Sequence, residues 1–562
     1  MSRLVFKAEE QIRKVIEDAV KRAIENGTLV EANLPDYTVE IPADRSHGDY
    51  AANVALQSAR IFKTAPAKIA QTICDNIDLK GTLLNSVEIA GPGFINFTLA
   101  DEFYSEIVND VIEQGENYGR SDFGKGKKIL VEYVSANPTG PMHIGNARGG
   151  ALGDALCSVL DAAGYYVSRE FYINDAGNQI EKFKTSLEAR YLQLFDDSVE
   201  IPEDAYLGDD IVEHAKNFAK IHGDKYVNAD SEERRQALCD YALPLNIQGL
   251  KDDLKKYRIE YDTWFKESSL HESGAVADVI EKLRASGYTY EKDGALWFKS
   301  TAFDEEKDRV LVRANGIPTY FVPDIAYHYN KLVVRGYDLA IDVLGADHHG
   351  YIPRMRGALM ALGIEPDRIK PIIMQMVRLI KDGETYKLSK RSGKAITLTT
   401  LLDEVPIDAA RMFFNLREPN SHLEFDIDLA VAEDSKNPVY YVQYAHARIC
   451  SMLRNLKADG VEPTKLTNDQ LSVLKTSEER ELIRHIASYT AVIIDSAKDF
   501  NPSLITRYAI DLATLFHKFY NACPVKTAAD DIKSARLSLC VATKQVLENV
   551  LGLLKITAPE SM

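Results

Sequence analysis

The chain has 562 residues, with 67 basic against 84 acidic side chains and a formal net charge of −17. That length predicts three or four domains, and the acidity excludes indiscriminate binding to nucleic acid while leaving room for an RNA partner held by local basic patches. No apolar run reaches the length of a membrane span, the early acids fit neither a signal nor a transit peptide, and the six cysteines form no Cys-x-x-Cys pair; a soluble protein of the reducing cytoplasm, without disulfides or a zinc site, is expected.

Residues 1–115 read as a small α+β unit, with helical periodicity over 6–26 and a strand over 87–99 interrupted at Gly91-Pro92-Gly93. From Lys127 the grammar changes. Residues 129–134 form the short apolar run of a buried parallel strand, 145–163 a helix stopped by Gly164, and 166–172 a second strand. Strand, helix, strand opens a doubly wound sheet. Residues 181–290 read as a charged, mostly helical insertion. Then 327–334 is predicted as a helix, 339–344 as a strand ending in Gly345-Ala346-Asp347-His348-His349, 351–362 as a helix, and 369–380 as a strand leading to a turn at 381–383. Residues 437–562 read as helices. The predicted fold is therefore α/β: a doubly wound, Rossmann-like catalytic domain over 116–436, an α+β N-terminal domain over 1–115 and an all-α C-terminal domain over 437–562.

Two segments carry chemistry. Asn137 to Gly150 is rich in glycine and proline and places His143 and Gly145 where a strand turns into a helix. Free N–H groups and the positive end of the helix dipole suit phosphate there, and His143 is positioned to donate to it; the plainer alternative is a histidine that only caps the helix. The loop region 381–394 carries Lys387, Lys390, Arg391 and Lys394. Such ammonium groups neutralise a leaving pyrophosphate, whereas a basic surface turn is the alternative. Together the segments describe one nucleotide site and an ATP-dependent adenylating enzyme. A carboxylate, Glu132, interrupts the apolar strand before them. Buried there it needs a partner, either a cationic substrate or a structural arginine such as Arg313.

His143-Ile144-Gly145-Asn146 and Lys387-Leu388-Ser389-Lys390 resemble the HIGH and KMSK elements of class I aminoacyl-tRNA synthetases. The string 131–141 before His143, His47-Gly48-Asp49-Tyr50, Gly91-Pro92-Gly93-Phe94 and the string 441–448 are similar to the arginyl-tRNA synthetase family over the whole length. Asn146 replaces the second histidine and keeps only an amide donor; Leu388 replaces methionine at conserved volume.

The resemblance implies an arginine–tRNA ligase that forms arginyl-adenylate from ATP with Mg²⁺, charges tRNA(Arg), and needs bound tRNA for the first step. It implies His143, Asn146, Lys387 and Lys390 as the catalytic set; Glu132, Ser135, Asn137, Tyr320 and Asp324 around arginine; and Gly145, Gly345, Asp347, His348, His349, Met376 and Val377 around ATP. Phe94 and Asn96 are expected at the outer corner of the tRNA, and Tyr441 and Tyr444 at its anticodon stem-loop, with helix packing the alternative for the tyrosines. Metal binding by His348 and His349 competes with the ribose reading of that segment, but neighbours in a strand point apart and no third ligand is evident, so no protein metal site is expected. A guanidinium site rejects analogues by leaving acceptors unpaired, so no editing domain is predicted. The family expectation is a cytoplasmic monomer. The rivals are a small-molecule nucleotidylyltransferase, a non-catalytic RNA-binding paralogue and a synthetase for another amino acid.

Overall fold

A computed structural model describes residues 4–42, 44, 47–386 and 396–562. Lys387 and Lys390 lie outside the described residues, as does the side chain of His349.

The first helix, Leu4–Glu25, buries Ala8, Ile12, Val15, Ile16, Ala19, Val20 and Ala23, a stripe at helical spacing that faces one core. Four antiparallel strands follow: β1 (Val39–Glu40), β2 (Tyr50–Ala52), β3 (Leu84–Ala90) and β4 (Phe94–Leu99), in the order β1-β2-β4-β3. The strand predicted over 87–99 is thus a hairpin, turned at Gly91 and Gly93. Gly93 sits at φ 138°, and a Cβ there would lie 2.8 Å from the ring of Pro66, so no other residue fits.

The catalytic sheet is five parallel strands: β5 (Lys128–Glu132), β6 (Tyr166–Ile173), β7 (Thr263–Lys266), β11 (Leu339–Gly345) and β12 (Ile369–Met374), ordered β12-β11-β5-β6-β7. Between them, β8 (Thr289–Lys292), β9 (Ala295–Phe298) and β10 (Arg309–Val312) form a separate antiparallel sheet. The chain winds outward in one direction from β5 and in the other from β11. The switch point therefore lies between these two strands, and their carboxyl ends open into a crevice.

Three sequence expectations need correction. The segment read as mostly helical over 181–290 does contain the helices Asn178–Leu192, Asp209–His222 and Ser231–Lys256, but it also returns to the sheet as β7. The strand read over 369–380 is two: β12 ends at Met374, and β13 (Val377–Lys381) pairs instead with β14 (Glu384–Thr385) and β15 (Leu423–Asp426). Asp347 and His348 lie not on a strand but in the 3₁₀ turn Ala346–Tyr351.

The sheet is covered on both faces. The long helix Ile144–Ala162 and the C-terminal helices share one continuous core with the N-terminal helix, and a second core packs Phe321, Ile325, Met355 and Leu359. Beyond Asn437 come the helices Pro438–Ala458, Ser477–Ala487, Tyr489–Asp499, Ser503–Ala522 and Asp530–Leu553. Among the described residues no helix is long and apolar enough to cross a membrane.

Candidate active site

After β5 the chain leaves the sheet through two left-handed residues, Val134 (φ 69°) and Ser135 (φ 40°). A β-branched residue there is strained. The turn sets the Ser135 hydroxyl to donate to Glu132 Oε1 at 2.9 Å and to accept from the Tyr172 N–H at 3.1 Å. At the start of the next helix, His143 Nδ1 accepts from the Gly145 N–H at 3.1 Å and Asn146 Oδ1 accepts from the His143 N–H at 3.1 Å. His143 is thus a cap after all, but capping leaves chemistry over. With Nδ1 an acceptor, the neutral ring carries its proton on Nε2 as a donor. Asn146, with its oxygen engaged, keeps its amide N–H groups.

The chain just after residue 395 is pinned to this turn. The Ile144 N–H donates to Ile396 O at 3.0 Å and the Leu398 N–H to Met142 O at 2.8 Å, with a bridge between His143 and Thr397. Just before residue 387 the Tyr386 N–H donates to Leu379 O at 2.8 Å.

A cavity of about 860 Å³ lies over the carboxyl ends of β5 and β11. His143, Gly145, Asn146, Gly345, Asp347, His348, Met376 and Val377 line it. Arg148, only 1% exposed, also reaches it and donates to Gln375 O (2.7 Å) and Glu418 O (3.0 Å). Burial lowers its pKa to about 10, since carbonyls alone do not replace a counter-charge. Sequence reading missed Arg148. Its signal was a lone cation among the small residues of Asn137 to Gly150.

A second cavity, of about 550 Å³, adjoins the first and shares Val134, Ser135, Asn137, Gly345, Asp347 and His348 with it. Its deeper wall holds Glu132 and Asp324. The structure therefore brings together Glu132, Ser135, Asn137 and Asp324; Tyr320 stands outside this wall, half exposed and against Gly177. Asp324 accepts from the Tyr351 hydroxyl, and burial raises its pKa although that bond opposes the shift. Beside it Glu267 is 7% exposed, and burial, with the nearby charges of Asp324 and Asp175 adding, pushes it up to about 7.

Glu132 is paired, but not with Arg313. Lys331 Nζ, fully buried, donates to Glu132 Oε2 at 2.6 Å and to Asp342 Oδ1 at 2.7 Å. Burial pulls the Lys331 ammonium down, and the two carboxylates outweigh it, holding its pKa above the usual lysine range. His328 Nε2 lies 2.9 Å from Asp342 Oδ2.

The four expected tRNA residues lie elsewhere. Phe94 and Asn96 sit on β4, with Asn96 buried. Tyr441 and Tyr444 share a face of the helix Pro438–Ala458, their rings 4.9 and 5.9 Å from that of His517, and Arg448 stands 4.9 Å over Tyr444. Tyr441 is thus partly packed against the helix core, whereas Tyr444 is exposed. Among the described residues no group of three His, Cys, Asp or Glu side chains is arranged to hold a metal ion.

Comparison with known proteins bears directly on this arrangement. Residues 107–450 match the class I tRNA synthetase catalytic domain (R), 10–99 the arginyl tRNA synthetase N terminal domain, and 442–562 the DALR anticodon binding domain. The chain is 54% identical to the arginine–tRNA ligase of Caldanaerobacter subterraneus subsp. tengcongensis over 562 residues, and 51% identical to that of Ruminiclostridium cellulolyticum over 564, each covering 100% of both chains. Its fold superposes on Thermus thermophilus arginyl-tRNA synthetase with a TM-score of 0.74 at 22% identity, covering 98% of this chain and 100% of that one. The chain belongs to the arginyl-tRNA synthetase family of class I.

Proposed function

We infer that the two joined cavities are where this arginine–tRNA ligase works, with ATP as its substrate in the larger and arginine in the smaller. The protein activates arginine with ATP and charges tRNA. The observation that carries the assignment of places is the pairing of Met142 and Ile144 with Ile396 and Leu398, which ties the chain just after the lysine segment to the histidine turn that lines the larger cavity.

The arginine guanidinium enters toward Asp324 and Glu132, where planar carboxylates offer two-pronged acceptance. Ser135 and Asn137 hold its polar groups, and Tyr320 closes over it from outside. Adenine lies against the backbone at Met376 and Val377, and the ribose against Gly345, Asp347, His348 and His349. An oxygen of the arginine carboxylate attacks the α-phosphorus in line. Its bond to phosphorus forms as the bridge to the β-phosphate breaks, giving arginyl-adenylate and pyrophosphate. His143 Nε2–H, the backbone amides near Gly145 and the Asn146 amide stabilise the charge that builds at the α-phosphate, while Lys387 and Lys390 take up the charge of the leaving pyrophosphate. Mg²⁺ arrives on the phosphates with ATP rather than in a protein cage. A terminal ribose hydroxyl of the tRNA then attacks the adenylate carbonyl and AMP departs.

Phe94 and Asn96 meet the outer corner of the tRNA, and Tyr441 and Tyr444 its anticodon stem-loop, from domains spanning 1–115 and 437–562 on either side of the catalytic domain 116–436. The first step waits for bound tRNA, and the protein works as a cytoplasmic monomer.

The test is attachment of radiolabelled arginine to total tRNA, with and without ATP, by wild type and Lys390→Ala. Charging that needs ATP, and falls about 100-fold or more in the variant, is the expected result, as for loss of one oxyanion donor. Pyrophosphate exchange should be negligible until tRNA is added. Equal charging by both proteins would remove Lys390 from the catalytic set.

A further inference from the structure

The helix Phe321–Tyr329 ends in a π turn, Asn330–Val334. Widened turns of this kind re-aim side chains, and they occur often at functional sites. Here Tyr327, His328, Lys331 and Arg335, all polar or charged, each reach a carboxylate on a strand of the catalytic sheet. Tyr327 and Arg335 both donate to Glu170, at 2.7 and 2.6 Å. His328 and Lys331 meet Asp342, and Lys331 alone reaches on to Glu132.

Glu132 and Asp342 are register partners on the adjacent parallel strands β5 and β11. Two carboxylates on adjacent strands at one register position repel each other unless a cation stands between them. Lys331 is that cation. Its ammonium is 0% exposed, so it contacts no substrate, yet it fixes one oxygen of the residue that lines the smaller cavity. Ser135 fixes the other. A carboxylate has about four lone-pair positions, and these two bonds leave free acceptors on Glu132 with their direction set.

We propose that Lys331 is a positioning residue for amino-acid selection: by bridging Asp342 to Glu132 it holds the Glu132 carboxylate turned into the cavity, and so gives the pocket its preference for a guanidinium over a neutral isostere. This rests on the reading of the Glu132 cavity as the arginine site. Counting charges alone gives the opposite sign. Removing a cation makes the pocket formally more negative, which by itself would tighten arginine binding. Local geometry opposes this, because without Lys331 nothing stands between the Asp342 and Glu132 carboxylates, and Glu132 turns away from the direction in which it meets a guanidinium.

The experiment is steady-state charging by the full-length protein at pH 8, comparing wild type with Lys331→Met and Lys331→Arg, and with citrulline as a competing neutral isostere. In Lys331→Met the KM for arginine should rise about 10- to 100-fold, the loss of one charge-assisted hydrogen bond. The KM for ATP and kcat should stay within about threefold, and the gap between arginine and citrulline affinity should narrow about tenfold or more by the same reasoning. Lys331→Arg keeps the charge and should keep the discrimination. An unchanged or lower arginine KM in a folded Lys331→Met enzyme overturns the proposal, as does an even loss across arginine, ATP and tRNA, which marks a merely structural lysine. Should Lys331→Met fail to fold, Lys331→Arg decides alone: retained citrulline discrimination supports the proposal and its loss overturns it. A wild type that charges no arginine would instead sink the reading of the site.

Discussion

His143 shows how one imidazole serves fold and chemistry together. Its Nδ1 satisfies a helix N–H that would otherwise be orphaned, and that bond is what directs the remaining N–H outward. Motif reading reached this residue because cap, glycines and helix start lie within a few positions of each other. It reached Glu132 for the related reason that a carboxylate in an apolar strand is conspicuous. It missed Lys331, His328 and Glu267, whose meaning arises only when a helix, β5, β7 and β11 converge; their trace in the sequence is a polar stripe at helical spacing in 324–335 and a lone glutamate after a short strand. The same residues carry a pH prediction. Glu267 sits near neutrality, raised by burial and then by Asp324, so below about pH 7 the free pocket holds its proton. An arriving guanidinium favours the ionised form, so arginine affinity should climb as pH rises from about 5.5 to 7.5 and a proton should be released on binding. For folding alone the sign reverses: a carboxyl raised above its usual value stabilises most at low pH, and that contribution is lost as pH rises through 7. Calorimetry of arginine binding in buffers of different ionisation enthalpy reads the released proton. Uptake of a proton, or affinity indifferent to pH across that window, would show that Glu267 does not face the guanidinium's charge.

At the scale of elements, the periodicity of the long helices was legible and the breaks between short strands were not. β7 is four residues long and follows three helices, so nothing local distinguishes it from a loop. The division of β12 from β13 is likewise tertiary. The Gln375 carbonyl is taken by Arg148, its N–H donates to Pro419 O at 3.0 Å, and beyond it the backbone finds β15 instead of β11. The helix Ile144–Ala162 supplies a sharper case. Gly153 in its middle is a poor helix former, and a Cβ there would lie 2.3 Å from the ring of Tyr133, which is fully buried on the strand end beneath. The glycine lets the helix that carries His143 at its start lie directly on the strand end that follows Glu132. Gly153→Ala should therefore lower stability by about 1–3 kcal/mol through overpacking, against the gain of about 1 kcal/mol that the same change gives in an open helix. Urea unfolding measures the sign. A more stable variant would mean that Tyr133 yields at little cost and that the helix does not depend on this close approach.

Across the whole molecule, the family-like string around Asp49 turns out to be a fastening. Asp49 is 3% exposed and accepts from the Leu99 N–H at 2.8 Å, the Tyr104 hydroxyl at 3.1 Å and Arg484 Nε at 2.5 Å. Arg484 belongs to the C-terminal helix Ser477–Ala487, whose Arg480 pairs with Asp101 and lies 4.8 Å over the Tyr104 ring. One buried carboxylate and the partly buried charges around it thus lock the N-terminal sheet to the C-terminal helices, although the two are separated in sequence by the whole catalytic sheet. Sequence reading reached the string around Asp49 but not its partner, since a conspicuous string does not reveal what it meets. The consequence is mechanical. If Phe94 and Asn96 on one side and Tyr444 on the other grip a single tRNA, the distance between grips is set by this contact and not by the catalytic cavities. Arg484→Met leaves the Asp49 carboxylate with neutral donors only and should cost about 3 kcal/mol of stability, the lower end of the range for a broken buried pair. In the folded variant the KM for tRNA should rise about tenfold, equivalent to 1.4 kcal/mol of lost binding, while the KM values for arginine and ATP stay put because neither cavity touches the contact. Parallel charging and unfolding measurements separate the two effects. A loss of stability with an unchanged tRNA KM would mean that the grips act independently; a parallel rise in all three KM values would mean that the lock reaches the catalytic sheet as well.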